Sequence, residues 1–133
     1  MLSRGLMVTA VAPQRGPILI VEDDRGVREA LDVLLGDEFD LRHAANVDAA
    51  LRLFESTAPS LVFLDIRLQG ESGLDFLRRL GARSRGVPVV MVTAAVDEGI
   101  LRESRALGAA AVVRKPFDVA EVEAIARASA RLR

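Results

Sequence analysis

The chain has 133 residues, half of them apolar, and 18 basic residues against 19 acidic ones give a formal net charge of −1. This suits one domain with a substantial core and gives no support for nucleic-acid binding. The absence of cysteine excludes disulfides, thiolate metal sites and thiol nucleophiles, a single histidine is too few for a histidine-rich metal centre, and no apolar run approaches a membrane span.

The first 16 residues differ from the rest. Arg4, the apolar patch Leu6–Ala12 and the step Ala10-Val11-Ala12 faintly resemble a secretion signal, but Thr9 interrupts a patch already at the lower length limit. A flexible leader over residues 1–16 is the expectation, with Met7 a candidate start and the folded domain over 17–133.

After Pro17, short β-branched runs alternate with amphipathic stretches. The pattern predicts a strand over Ile18–Glu22, then a helix over Arg25–Leu35 capped by Asp24, with Val27, Ala30, Leu31 and Leu34 at helical spacing. A strand over Phe39–Ala44 follows, and Asn46 caps a helix over Val47–Glu55. Ser60–Leu64 has apolar residues on both faces, as in a strand covered by helices on both sides. Beyond a loop over Asp65–Glu71, Ser72 and Asp75 form a capping-box pattern at the start of a helix over Gly73–Leu80. A strand over Pro88–Val92 ends at Thr93, and a helix over Glu98–Leu107 stops at Gly108. The last strand, Ala110–Val113, leads into Lys115-Pro116, and Asp118 with Glu121 opens a helix over Val119–Leu132. Alternation of this kind predicts an α/β fold, a parallel sheet wrapped by helices, with ligands bound beyond the carboxyl ends of the strands.

Four of the five expected strands run into a reactive residue. Glu22 and Asp23 follow the first, Asp65 the third, Thr93 the fourth, and Lys115 lies just after the fifth. Lys115 is the only lysine among 18 basic residues, so a lysine there is not a product of composition. Carboxylates ~5 Å apart repel by about 3 kcal/mol per pair at an effective dielectric of ~20. A divalent cation offsets this, and an all-oxygen set with open positions suits Mg²⁺. Asp65 can attack phosphorus to give an acyl phosphate. Thr93 and Lys115 can then neutralise the peripheral phosphoryl oxygens, a compact ammonium being well matched to a point-charge role.

With Ile-Leu-Ile-Val-Glu-Asp-Asp at 18–24, Leu-Val-Phe-Leu-Asp-Ile-Arg-Leu at 61–68, Val-Thr-Ala at 92–94 and Lys-Pro-Phe at 115–117, the chain resembles the receiver domain of bacterial two-component response regulators. The resemblance covers nearly everything after the leader. It implies a flavodoxin-like, doubly wound five-stranded parallel sheet of order 2-1-3-4-5 with five helices. It further implies that Asp65 accepts a phosphoryl group from a sensor histidine kinase or phosphotransfer protein. On the family pattern Glu22, Asp23, Asp65 and the backbone carbonyl of Arg67 hold Mg²⁺, while Thr93 and Lys115 bind the phosphoryl group. The expected output is a shift of the last helix, the last strand and the helix before it, read by a downstream effector. The cytoplasm is the expected compartment, and a weak homodimer is compatible with the pattern.

Three departures stand out. Gln69 replaces a frequent proline, which implies a less rigid loop after Asp65. Val112 stands where many receivers carry Tyr or Phe, and the chain has no tyrosine. Ala110-Ala111 replaces an acidic pair. These departures leave the phosphorylation chemistry intact and bear on the output surface. Other features read as structural: His43 as a surface residue, Arg78, Arg79, Arg83 and Arg85 as a solvated helix C-terminus, and Glu121, Glu123, Arg127 and Arg131 as an exposed helix face. Competing classes are a scaffold-only degenerate receiver, disfavoured by the complete acid, threonine and lysine set, and an aspartyl phosphatase of the haloacid-dehalogenase kind. The latter needs an acid two residues after the nucleophile, where Arg67 stands. The input domain of a longer DNA-binding regulator or enzyme is a further alternative.

Overall fold

The computed structural model describes residues 15–84, 86–94 and 97–130. Five parallel strands, β1 (Arg15–Val21), β2 (Phe39–Ala44), β3 (Leu61–Leu64), β4 (Val89–Thr93) and β5 (Ala111–Arg114), form one sheet of order β2-β1-β3-β4-β5. Helices α1 (Arg25–Leu35), α2 (Val47–Thr57), α3 (Gly73–Leu80), α4 (Glu98–Ala106) and α5 (Val119–Ser129) connect and follow the strands. This is the flavodoxin-like order expected from the sequence.

The sheet divides the core in two because a strand alternates its side chains. Leu19, Val21, Val62, Leu64 and Met91 face one way, onto Leu51 and Phe54 of α2 and Phe76, Leu77 and Leu80 of α3. Ile18, Ile20, Leu61, Phe63, Val90 and Val92 face the other, onto Leu31 and Leu35 of α1 and Val122 and Ala126 of α5. All four residues of β3 are buried, as a strand with helices on both faces requires.

Helix starts follow the expected caps. The Asp24 carboxylate accepts from the amides of Gly26 and Val27, and Asn46 accepts from Ala49. Ser72 accepts from Leu74, and Asp118 from Ala120 and Glu121.

Several boundaries and faces differ from the sequence reading. β1 begins at Arg15, so Arg15 and Gly16, assigned to the leader, are part of a strand. The rest of that leader, together with Arg85, Ala95, Val96, Arg131 and Leu132, lies outside the described residues. The Asp65–Glu71 loop holds a two-residue hairpin, Arg67–Leu68 against Glu71–Ser72. On α1 the inward stripe is Val27, Leu31, Leu34 and Leu35, while Ala30 is exposed.

The arginines after α3 are more than a solvated terminus. Arg78 pairs with Glu103 of α4, Arg79 with Asp48 of α2 at 3.0 Å, and Arg83 with Glu55 of α2 at 3.4 Å. Each of these side chains is about half exposed, so each pair contributes about 0–1 kcal/mol. Arg83 also donates to the Arg79 carbonyl at 2.8 Å, which does serve the helix end. His43 on the outer strand β2 pairs with Asp32 of α1 at 2.7 Å. Arg127 joins α5 to Glu38, which is itself 3.6 Å from Arg15.

Helix α4 has an unusual anchor. Its fully buried residue is Ser104, whose Oγ has no hydrogen-bond partner, while Ile100 is only partly buried. A buried hydroxyl without a partner costs about 1–3 kcal/mol in lost hydration. Ser104→Ala is therefore expected to stabilise the protein by about 1 kcal/mol in urea denaturation. Unchanged or lowered stability would show that the hydroxyl has a partner in solution.

Candidate functional site

The parallel register sets the strand ends level. Val21 is opposite Leu64, and Leu64 is opposite Met91. The first residues past β1 and β3 therefore emerge side by side. The Glu22 amide donates to the Ala44 carbonyl and the Asp65 amide to the Val21 carbonyl, both at 3.0 Å, so main-chain bonds fix both residues. Glu22, Asp65 and Thr93 are all buried. Asp23 is partly exposed at the mouth.

Lys115 arrives from the far side. Thr93 is opposite Arg114, and the Lys115 amide donates to the Thr93 carbonyl at 2.9 Å. Its ammonium then reaches across the edge of the sheet, donating to Glu22 Oε1 at 2.6 Å and to Asp65 Oδ2 at 2.8 Å. Lys115 is thus not a solvated surface lysine: only 18% of its side chain is exposed.

A backbone amide donates to each of the three carboxylates, as a second donor to Glu22 and Asp65. Glu22 Oε2 accepts from the Asp24 amide at 3.1 Å, Asp65 Oδ1 from the Arg67 amide at 3.1 Å, and Asp23 Oδ2 from the Gln69 amide at 2.5 Å. One oxygen from each of Glu22, Asp23 and Asp65 can be chosen so that all three lie within 4.8 Å of one another. Three hard oxygens at that spacing, one of them open to solvent, suit a divalent cation that keeps several waters, as Mg²⁺ does.

Burial pushes the Glu22 carboxyl above its ordinary range; the Lys115 ammonium and the Asp24 amide pull it back only in part, and the Asp65 charge adds to the rise. Burial alone lowers the Lys115 ammonium, but the hydrogen bonds and charges of Asp65 and Glu22 outweigh it and raise Lys115 above its ordinary value. The ammonium therefore stays charged across the working pH range.

Of the residues singled out in the sequence, Glu22, Asp23, Asp65, Thr93 and Lys115 come together at one edge of the sheet. Arg67 follows closely, with its amide on Asp65. Sequence reasoning missed three contributors. The Arg28 guanidinium holds the Glu22 carbonyl at 2.9 Å. Gln69 contributes an amide, invisible in a side-chain pattern. Gly73 is buried against the Asp65 main chain, where a Cβ would sit 2.0 Å from the Asp65 carbonyl oxygen. Around the start of β5, Val112 is partly buried, and Ala110 and Ala111 are exposed.

Comparison with known proteins gives the family. The family model for the response regulator receiver domain matches residues 18–127. The sporulation initiation phosphotransferase F of Bacillus subtilis is 34% identical over 106 residues, 79% of this chain and 86% of that protein. The DNA-binding response regulator MtrA of Mycolicibacterium smegmatis is 40% identical over 120 residues, 90% of this chain but 51% of MtrA, so the chain spans about half that relative's length. A CheY-like receiver domain from Methanospirillum hungatei superposes with a TM-score of 0.80 at 23% identity, covering 88% of this chain and 93% of that one, which speaks for the fold alone. No helix among the described residues is long and apolar enough to cross a membrane.

Proposed function

We propose, for a chain that belongs to the response regulator receiver family and is a receiver domain of two-component signal transduction, that Asp65 is its phosphoacceptor and that Glu22, Asp23 and Asp65 hold Mg²⁺ beside it. The observation that carries this reading is the Lys115 ammonium shared between Glu22 and Asp65, at 2.6 and 2.8 Å, within a cluster of three carboxylates.

The donor is a phosphohistidine on a sensor kinase or phosphotransfer protein. An Asp65 oxygen attacks phosphorus; the new O–P bond forms as the P–N bond breaks, and the imidazole leaves with that electron pair. Phosphoryl transfer needs little beyond in-line placement and neutralised charge on the peripheral oxygens. Lys115 supplies one such charge, because its Nζ already sits 2.8 Å from Asp65 Oδ2 and can turn to an incoming phosphoryl oxygen. The buried Thr93 hydroxyl supplies a neutral donor from β4. Bound Mg²⁺ would supply the remaining charge neutralisation, with the Arg67 carbonyl as an additional oxygen ligand. The protein thereby assists its own phosphorylation and hydrolysis and acts as a switch for a downstream partner, in the cytoplasm. Output by way of a DNA-binding partner or segment is the reading favoured by the likeness to MtrA.

Incubation with phosphoramidate and Mg²⁺, followed by peptide mass spectrometry, tests this. The phosphoryl adduct is expected on Asp65 and is expected to vanish when Mg²⁺ is chelated. An adduct on another residue, or one that forms equally well in Asp65→Asn, would sink the assignment.

A further inference from the structure

The segment after Asp65 is braced on both sides of Gly70, at the turn of its hairpin. The Gln69 amide donates to Asp23 Oδ2 at 2.5 Å, a short charge-assisted bond. Two residues on, the Glu71 carboxylate accepts from the Val47 amide at 2.9 Å, at the N-terminus of α2, where a negative charge is favoured. The hairpin therefore hangs between α2 and Asp23 and presents its amide to one oxygen of that carboxylate. Glu22 and Asp65 are held by Lys115 and by an amide two residues on, whereas Asp23 is held by the distant Gln69 amide.

We infer that the backbone amide of Gln69 is a positioning donor for Asp23: it fixes one carboxylate oxygen and so leaves the other oriented for a divalent cation, with Glu71 holding the amide in place. This rests on the reading of Glu22, Asp23 and Asp65 as the Mg²⁺ site. The physical basis is the usual role of groups that hydrogen-bond to ligating carboxylates, which set ligand orientation and change metal affinity when removed. In water, a partly exposed aspartate samples several rotamers, and ordering it on binding opposes association. An amide that orders it beforehand removes that term.

The turn itself allows a clean test. Gly70 has φ +75°, and Gln69 is not among the positive-φ residues, which matches the third and second positions of a type II turn. Proline is well tolerated at that second position, so Gln69→Pro removes the N–H while preserving the turn. Gln69→Ala keeps the N–H and discards the side chain.

Calorimetric titration of the full chain with MgCl2 reads the effect without any phosphorylation. Gln69→Pro is expected to raise the Mg²⁺ dissociation constant about tenfold. Gln69→Ala should stay within about twofold of the parent, and Glu71→Ala should show a loss of roughly threefold, since the amide survives but one anchor is gone. In the unmodified chain the Gln69 amide proton should resonate far downfield and move upfield in Asp23→Asn, where the acceptor is neutral. Equal affinity in Gln69→Pro and the parent, or a Gln69 amide indifferent to Asp23→Asn, overturns the brace while leaving the metal site standing. A parent protein that takes up no Mg²⁺ overturns both.

Discussion

Lys115→Met is expected to destabilise the protein by about 3 kcal/mol at pH 8 without Mg²⁺, measured by urea denaturation. The side chain is similar in length and apolar, so packing is largely kept. What is lost is the cation that serves two carboxylates whose side chains are 5% and 8% exposed. Removing one partner of a buried ion pair leaves the other charged and dehydrated, which costs more than the pair contributes. Two checks separate this from a packing defect.

The first check is pH. The Glu22 carboxyl is already raised above its unfolded value by burial, and the Lys115 ammonium is the strongest of the groups pulling it back down. A raised carboxyl binds its proton more tightly in the folded state. Its contribution to stability is present below the unfolded value and is lost as pH rises through the folded one. Without Lys115 the folded value rises further, so the difference between Lys115→Met and the parent should shrink as pH falls from 8 to 5. The second check is metal: Mg²⁺ should stabilise Lys115→Met more than the parent, because a cation then replaces the missing ammonium. A loss independent of both pH and Mg²⁺ would mean that the lysine matters only for packing.

How much of this was legible beforehand depended on whether a feature was local. The strands and helices were readable because alternation and helical periodicity are imposed residue by residue, and because Asp24, Asn46, Ser72 and Asp118 cap helices through bonds that span two or three residues. The convergence of Glu22, Asp23, Asp65, Thr93 and Lys115 was readable because a parallel sheet brings the carboxyl ends of its strands to one edge. Long-range partners were not. The Arg15–Glu38–Arg127 set joins residues 112 apart in the chain, so Arg15 looked like part of a leader. Arg78, Arg79 and Arg83 looked like one helix terminus because nothing in their neighbourhood names Glu103, Asp48 and Glu55 as partners. Nothing local marks Ser104 as the buried residue of α4, because its burial comes from packing against the distant sheet. The Gln69 amide was hidden for a different reason: main-chain donors are the same in every sequence, and only a proline would have announced their absence.

Gly73 belongs to the same hidden class, and it carries the second large expected effect. In the sequence it is simply the first residue of a helix after Ser72. In the fold, its amide donates to the Ile66 carbonyl at 2.7 Å, and its Cα lies against the peptide that follows Asp65. A Cβ there would stand 2.0 Å from the Asp65 carbonyl oxygen, 2.9 Å from its carbon and 3.2 Å from Ile66 Cα. These are backbone atoms, so no side chain can swing aside; either α3 or the Asp65–Ile66 peptide must move by about 1 Å, and forced overpacking costs about 1–3 kcal/mol. Gly73→Ala is therefore expected to lose about 3 kcal/mol of stability and to slow phosphorylation by phosphoramidate at least about tenfold, since a 1 Å misplacement of a reacting group can cost about a hundredfold. Gly99→Ala supplies the control: it sits in the first turn of α4, where a Cβ meets only the Asp97 carboxylate at 3.4 Å. That change should be neutral or slightly stabilising, by up to about 1 kcal/mol, through the unfolded chain. Should Gly73→Ala melt and phosphorylate like the parent, the close approach of α3 to the Asp65 main chain would not exist in solution, and the loop would be free to set Asp65 without it.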